Sequence, residues 1–169
     1  MVPVLQSLEA VTVRRPTEVD GGVLWKLARD SGKLDVNTTY CYLMLGKWFG
    51  GTCALAEREG RPVGFVTGFR LPEKPDTWFV WQIAVAAEAR GQRLGRRLLE
   101  HVLGRPENAD IRYVEATVSP SNAASRSLFQ GFARDRGIGC EITKGFPAES
   151  FPEGAHEEEE LFRIGPIGQ

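Results

Sequence analysis

The 169-residue sequence predicts an α/β fold, a single mixed and mostly antiparallel sheet of about six to seven strands flanked by helices. Three observations predict it. Period-two and helical apolar patterns succeed one another in the order βαα, βββ, α, β, α and a closing strand. The three central strand patterns follow directly on each other and read as hairpin-connected neighbours. The connections are short throughout, which fits one sheet covered by helices.

Val11 to Arg14 alternates apolar and polar residues as a strand does, and Thr17 with Asp20 resembles a weakened capping box that opens a helix over Val23, Leu24 and Leu27. After a polar loop around Ser31 to Asp35, Asn37 can cap a second helix. Its apolar positions Tyr40, Leu43, Met44, Trp48 and Phe49 recur at helical spacing, and it should end near Gly50 and Gly51. Cys53 to Ala56 and Pro62 to Arg70 read as strands joined by a tight Glu59-Gly60 turn. Leu71 to Pro75 reads as a proline-bearing loop and Trp78 to Val85 as the third strand. Leu94, Leu98, Leu99, Val102 and Leu103 form the apolar face of a helix that stops at Gly104 and Pro106. Tyr113 to Val118 is the next strand, a helix from about Asn122 to Phe132 follows, and a closing strand is expected near Leu161 to Ile164. The acidic run Glu157 to Glu160 leads straight into these apolar residues, so it can be anchored beside a site as well as solvated.

An apolar content of 42% supports one full core, and the whole of 1–169 is expected to form one domain with 1–9 as a flexible N-terminal segment. Cys41, Cys53 and Cys140 are odd in number and widely spaced. They read as buried thiols, not as a disulfide framework or a metal site, and no metal is expected. Neither a membrane span nor a signal peptide is visible, so a cytoplasmic location is expected. The formal net charge of -1 argues against nucleic acid as a partner.

Against that near-neutral background, Arg90, Arg93, Arg96 and Arg97 crowd a glycine-bearing turn between the strand ending at Val85 and the next helix. Unpaired N–H groups at the positive end of a helix dipole hold a phosphate or pyrophosphate, so a phosphorylated small molecule is the expected ligand. A dinucleotide fold would place Gly-x-Gly-x-x-Gly after its first strand and a P-loop would need Gly-Lys-Ser/Thr. The turn here follows the fourth strand and has neither.

The run Arg90, Gly91, Gln92, Arg93, Leu94, Gly95 resembles the Gln/Arg-x-x-Gly-x-Gly/Ala pyrophosphate motif of the GNAT acetyltransferase superfamily, with Arg93 in place of a glycine. If that position needs a positive φ, Arg93 is strained by about 1 to 2 kcal/mol; if not, its side chain can add a phosphate contact. Asn122, Ala123, Ala124, Ser125, Leu128, Phe129, Gly131 and Phe132 resemble the second superfamily pattern. Phe129 stands where many members carry a tyrosine that protonates the departing thiolate. The resemblance implies acetyl-CoA as cosubstrate, held by Ile83, Val85, Arg90, Gly91, Gln92, Arg93, Leu94, Gly95, Arg96 and Asn122. It also implies an oxyanion contact from a backbone N–H around Ile83 to Val85.

Leu34, Asp35, Asn37, Tyr40, Cys41 and Tyr42, then Pro72 to Pro75, Phe79 to Gln82, and His156 to Arg163 are similar to the diaminobutyrate acetyltransferase family of ectoine biosynthesis, over roughly residues 10 to 166. That resemblance implies acetylation of the γ-amine of L-2,4-diaminobutyrate by direct sequential transfer, in a homodimer. Asp35, Asn37, Tyr40, Trp81, His156 and Glu160 are then the substrate residues. An alkyl ammonium costs more than about 4 kcal/mol to deprotonate at neutral pH, so a base is needed. Glu160 or Asp35 is the expected proton acceptor and Tyr40 the expected thiolate acid. Each also has a plain structural reading: Asp35 as a loop cap, Tyr40 and Trp81 as core aromatics with Trp81 on the same strand face as Ile83, and His156 as a surface residue. Two alternatives stay open, acetyl transfer to another small diamine and a noncatalytic acyl-CoA-binding regulatory domain.

Overall fold

The computed structural model describes residues 10–168, so the expectation for 1–9 lies outside the described residues. In chain order the elements are β1 (Val11–Arg14), α1 (Gly21–Ser31), α2 (Thr39–Trp48), β2 (Ala54–Arg58), β3 (Arg61–Leu71), β4 (Lys74–Val85), α3 (Leu94–Leu103), β5 (Tyr113–Val118), α4 (Ala123–Arg136), β6 (Gly139–Phe146) and β7 (Glu159–Gly165). They form a seven-stranded sheet in the order β1-β2-β3-β4-β5-β7-β6. Every adjacent pair is antiparallel except β4 with β5, which is parallel because α3 carries the chain from one to the other. The α/β class and the mixed, mostly antiparallel sheet are as expected.

Helices cover both faces. Leu94, Leu98, Leu99 and Val102 of α3, with Phe129 and Phe132 of α4, bury against Trp78, Val80, Val114, Phe162 and Ile164. Leu24 and Ala28 of α1 and Tyr42 and Leu45 of α2 bury against Leu55 and Phe65 on the other face. Removing these apolar side chains from water is the main force holding the layers together.

Local chemistry explains where elements begin and end. Glu59 and Gly60 both take positive φ, 50° and 74°, as the two-residue turn between β2 and β3 requires. The proline-bearing loop contracts to the Pro72-Glu73 turn, because β3 runs to Leu71 and β4 begins at Lys74. Thr17 and Asp20 cap a single 3-10 turn, Glu18–Asp20, ahead of α1. The Asp20 carboxylate accepts from the Thr17 N–H at 2.8 Å and holds the Arg14 guanidinium. The cap of α2 is Thr38, whose hydroxyl accepts from the Cys41 N–H, and not Asn37. The expected inward face of α2 is also corrected: Tyr42 and Leu45 are its buried residues, while Tyr40 and Trp48 are 69% and 63% exposed. The strand β6 was not expected: Cys140 and Ile142 alternate with exposed Glu141 and Thr143, but the two glycines and Lys144 leave the pattern only four residues long. Of the three thiols only Cys53 is fully buried, where burial pushes its pKa up to about 11; Cys41 and Cys140 are half-buried.

One irregularity builds the site. Thr67 pairs with Gln82 but Gly68 pairs with Val80, which leaves Trp81 as the extra residue of a β-bulge in β4. A side chain at Gly68 would meet the Phe79 carbonyl at 2.4 Å, so glycine allows the close approach there. The bulge resets the alternation: Ile83 packs with the α3/α4 core, whereas Trp81 packs with the α1/α2 core. Trp81 therefore does not share a face with Ile83, contrary to simple period two.

Candidate active site

Pairing between β4 and β5 stops at Val80 and Ala116, just before the bulge. Beyond it β4 follows β3 and β5 follows β7, so the two parallel strands separate and leave a cleft at their carboxyl ends. In open α/β sheets this is where ligands bind. Two cavities of about 280 Å³ each occupy it and share Lys33, Leu34, Ile83, Asn122 and Ser125.

The first cavity runs along Ile83 to Val85 and over Arg90, Gly91, Arg93, Leu94 and Gly95. Gly91 and Arg93 have φ of 77° and 57°, so the turn curls its N–H groups and those of the first turn of α3 toward one concavity. Position 93 does adopt the positive φ for which glycine is preferred, and Arg93 carries that strain with its side chain in the cavity wall. At Gly95 a Cβ would stand 3.4 Å from Leu128 and 3.8 Å from Ile83, across the groove that the cavity needs. A groove with a strand edge on one side and an anion-binding turn at its end suits a long, phosphorylated cosubstrate.

The second cavity is polar and lies at the other end of the separation. It is lined by Asp35, Asn37, Trp81, Gln82, His156 and Glu159, with Phe129 deeper in. The Glu159 Oε2 is buried and makes no hydrogen bond among the described residues. Burial pushes its carboxyl pKa up, nearby His156 opposes this, and Asp35 and Glu157 add to it. A hydrogen bond to the Glu157 carbonyl raises the His156 pKa, and Asp35 and Glu159 act in the same sense. Its ring stacks on Phe151 at 3.8 Å, and its Nε2 lies 3.5 Å from the Asp35 carboxylate. With Lys33 beside Asp35, Glu159 and His156, and Trp81 as an aromatic wall, the pocket carries both signs of charge and suits a small molecule that has ammonium and carboxylate groups.

The sequence matches the Acetyltransferase (GNAT) family over residues 24–132. The chain belongs to that family. Within GNAT, it is 43% identical over 164 residues to the L-2,4-diaminobutyric acid acetyltransferase of Shouchella clausii, covering 97% of this chain and 92% of the relative. The enzyme of the same name from Halalkalibacterium halodurans is 44% identical over 157 residues, covering 93% and 82%. The solved diaminobutyrate acetyltransferase of Paenibacillus lautus, in complex with L-2,4-diaminobutyric acid and coenzyme A, superposes with a TM-score of 0.92 at 46% identity, covering 95% of this chain and 98% of that one. Ard1 from Thermoplasma volcanium, at 16% identity and a TM-score of 0.73, shares the GNAT fold.

The GNAT cleft brings together most, but not all, of the residues that the sequence nominates. Ile83, Val85, Arg90, Gly91, Arg93, Leu94, Gly95 and Asn122 line the first cavity, and Asn122 also caps α4 by accepting from the Ser125 N–H at 3.2 Å. Gln92 does not line it: its side chain accepts from Arg58 at 2.7 Å. Arg96 is turned to Glu100 and Asp135, and Arg97 donates to the Val11 carbonyl at 2.9 Å, so two of the four clustered arginines serve packing. Asp35, Asn37, Trp81 and His156 line the second cavity.

Tyr40 does not; it lines a separate outer groove with Glu18, Val19, Leu43, Met44, Lys47 and Trp48. The geometry of the single chain thus does not bring the expected thiolate acid, Tyr40, into either cavity. Glu160 does not line either cavity; it pairs with Arg126 of α4 at 2.6 Å. Its neighbour Glu159 lines the second cavity instead. Strand parity was the only available signal: Glu160 shares a face with Phe162 and Ile164, which bury under α4, so Glu159 must face the other way.

Proposed function

We propose that this chain transfers the acetyl group of acetyl-CoA to the γ-amine of L-2,4-diaminobutyrate, giving N4-acetyl-L-2,4-diaminobutyrate, the step before ring closure to the compatible solute ectoine in the cytoplasm of an osmotically stressed cell. The observation that carries this reading is the buried, unpaired Glu159 oxygen in an acidic cavity that opens onto the phosphate-binding cleft. The names of the relatives and the substrate and coenzyme A in the Paenibacillus lautus complex support it.

The chemistry follows from the two cavities. Arg90, Arg93 and the amides at the start of α3 hold the pyrophosphate, and the free edge of β4 orients the rest of the cosubstrate. The thioester then lies near Ile83, with a β4 N–H toward its oxygen. Glu159 and Asp35 receive the ammonium groups of the diamino acid, and Trp81 walls their carbon chain. Glu159 takes the first γ-nitrogen proton, directly or through one water, and the neutral amine attacks the thioester carbonyl. As the carbon–sulfur bond breaks, coenzyme A leaves as the thiolate and takes up the second proton of the γ-nitrogen, giving the amide and free coenzyme A. The raised pKa of Glu159 suits a base that must hold a proton while the carbon–sulfur bond breaks. No acyl-enzyme is needed, since both reactants share one cleft.

The protein acts as a homodimer in this reading. Val19, Tyr40, Leu43 and Trp48 form an exposed apolar patch on and beside α2, of the kind that a second copy covers.

Acetyl-CoA consumption by the purified protein with diaminobutyrate, ornithine, lysine and putrescine, combined with NMR of the product, tests the acceptor. Turnover confined to diaminobutyrate with acetylation at the γ-nitrogen is expected. Equal turnover of the longer diamines, or an intact thioester with every amine, sinks it.

A further inference from the structure

Gln82 stands at the bulge of β4 and is buried, with both ends of its amide engaged. Its Nε2 donates to the backbone carbonyl of Asp35 at 2.7 Å, and its Oε1 accepts from the Tyr42 hydroxyl at 2.8 Å. A carbonyl can only accept, which fixes the way round of the amide and makes Tyr42 the donor. Tyr42 is fully buried in α2, packs its ring against Trp81 and lines neither cavity. Asp35 lies in the loop between α1 and α2, and its own carboxylate is largely exposed, with the His156 imidazole 3.5 Å away. The Asn37 amide also donates to the Asp35 carbonyl, at 3.3 Å. This loop wall of the diamino-acid cavity is thus hydrogen-bonded to the sheet through the buried Gln82 side chain, beside the packing of Leu34 on the α1/α2 core.

We propose that Gln82 is a positioning residue of the diamino-acid site: oriented by Tyr42, it fixes the backbone of Asp35 and so sets where the Asp35 carboxylate meets the substrate. The bulge makes this possible, because it turns Gln82 as well as Trp81 toward α2. Without the Tyr42 hydroxyl, the Gln82 oxygen is left buried without its donor, and the amide is free to rotate away from Asp35. The consequence falls on the diamino acid. The pyrophosphate turn, at Gly91 to Gly95, is held by separate contacts.

The inference rests on diaminobutyrate as acceptor, and Tyr42→Phe with Gln82→Met tests it through two readouts. Tyr42→Phe keeps the ring and touches no ligand. It is expected to raise the KM for diaminobutyrate about five- to tenfold, with the KM for acetyl-CoA within about twofold of wild type. The double variant should be no worse than Gln82→Met alone, since both changes break one relay. Hydrogen exchange of the amides at Leu34 to Asn37 should quicken in Tyr42→Phe while α3 is unchanged. Unchanged exchange in that loop, an unchanged KM for diaminobutyrate, or additive effects in the double variant would each overturn the relay. Wild-type inactivity toward diaminobutyrate would instead overturn the acceptor, and exchange would still decide whether Tyr42 and Gln82 hold the loop.

Discussion

Adjacent carboxylates on β7 differ in chemistry because alternate residues of a strand face opposite ways. Glu160 meets a guanidinium and is an ion pair under α4, while Glu159 meets a cavity and holds a buried oxygen that accepts no hydrogen bond among the described residues. Glu159→Gln is expected to lower kcat/KM for diaminobutyrate by about 10² or more and to leave the KM for acetyl-CoA little changed. Glu160→Gln should cost less than about tenfold. Steady-state kinetics of the two variants, with the assignments reversed as the failing result, check this. The pH dependence has a definite sign. The raised Glu159 pKa means that wild-type kcat/KM falls as pH drops through that value and the base protonates, and this acid limb should be absent from Glu159→Gln. The folded state also holds the Glu159 proton more tightly than the unfolded chain does. Its contribution to stability is therefore present below the ordinary carboxyl range and lost as pH rises through the raised pKa. Glu159→Gln should accordingly melt no lower than wild type at neutral pH.

The turn into α3 combines two separable properties in one residue. Arg93 adopts a left-handed conformation that costs a non-glycine residue about 1 to 2 kcal/mol, and it adds a positive charge to the anion site. Arg93→Gly should leave the melting temperature equal or higher while raising the KM for acetyl-CoA about two- to fivefold. Arg93→Ala should weaken acetyl-CoA binding equally without the gain in stability. Thermal melts beside coenzyme titrations separate the two effects, and a lower melting temperature for Arg93→Gly would refute the strain. A second element-level contact lies after α3, where the buried Arg105 guanidinium donates to the carbonyls of Gly50, Gly51 and Cys53 at 3.1, 2.9 and 2.8 Å. Arg105→Met would leave these acceptors without that donor. A loss of about 2 to 4 kcal/mol is expected in urea unfolding, with near-normal kinetics for the folded fraction.

On the scale of the molecule, the site exists because two parallel strands part at a bulge while helices on both faces hold the sheet in place. The remaining unburied apolar surface is concentrated on α2, where Tyr40, Leu43 and Trp48 recur at helical spacing without a covering layer. Trp48→Glu is expected to shift a homodimer to monomer in sedimentation equilibrium, with α-helix content unchanged by circular dichroism. A wild type that is already monomeric across micromolar concentrations would remove the dimer. Fold class was legible at this scale because short connections between strong periodic patterns leave few topologies. β6 was not, since on an edge strand exposed over much of its length the alternation of Cys140 and Ile142 with Glu141 and Thr143 is too short to stand out.

The sequence by itself determined the α/β class, the limits of β1 and β5, the Glu59-Gly60 hairpin and the phosphate turn before α3. Each depends on residues close together in the chain: a period, a pair of turn residues, or a cluster of arginines beside glycine. Tertiary structure decided which side of each element meets the ligand. Periodicity marked an apolar stripe on α2 but could not say that Tyr40 and Trp48 lie outward while Tyr42 lies inward. Parity with Phe162 and Ile164 separates Glu159 from Glu160 among four consecutive glutamates, but which of the two faces meets a cavity is set by the packing of α4. The bulge that gives Trp81 and Ile83 to different cores depends on the register of β3, a partner strand that local sequence does not encode. Facing is a property of two surfaces in contact, and the second surface comes from elsewhere in the chain.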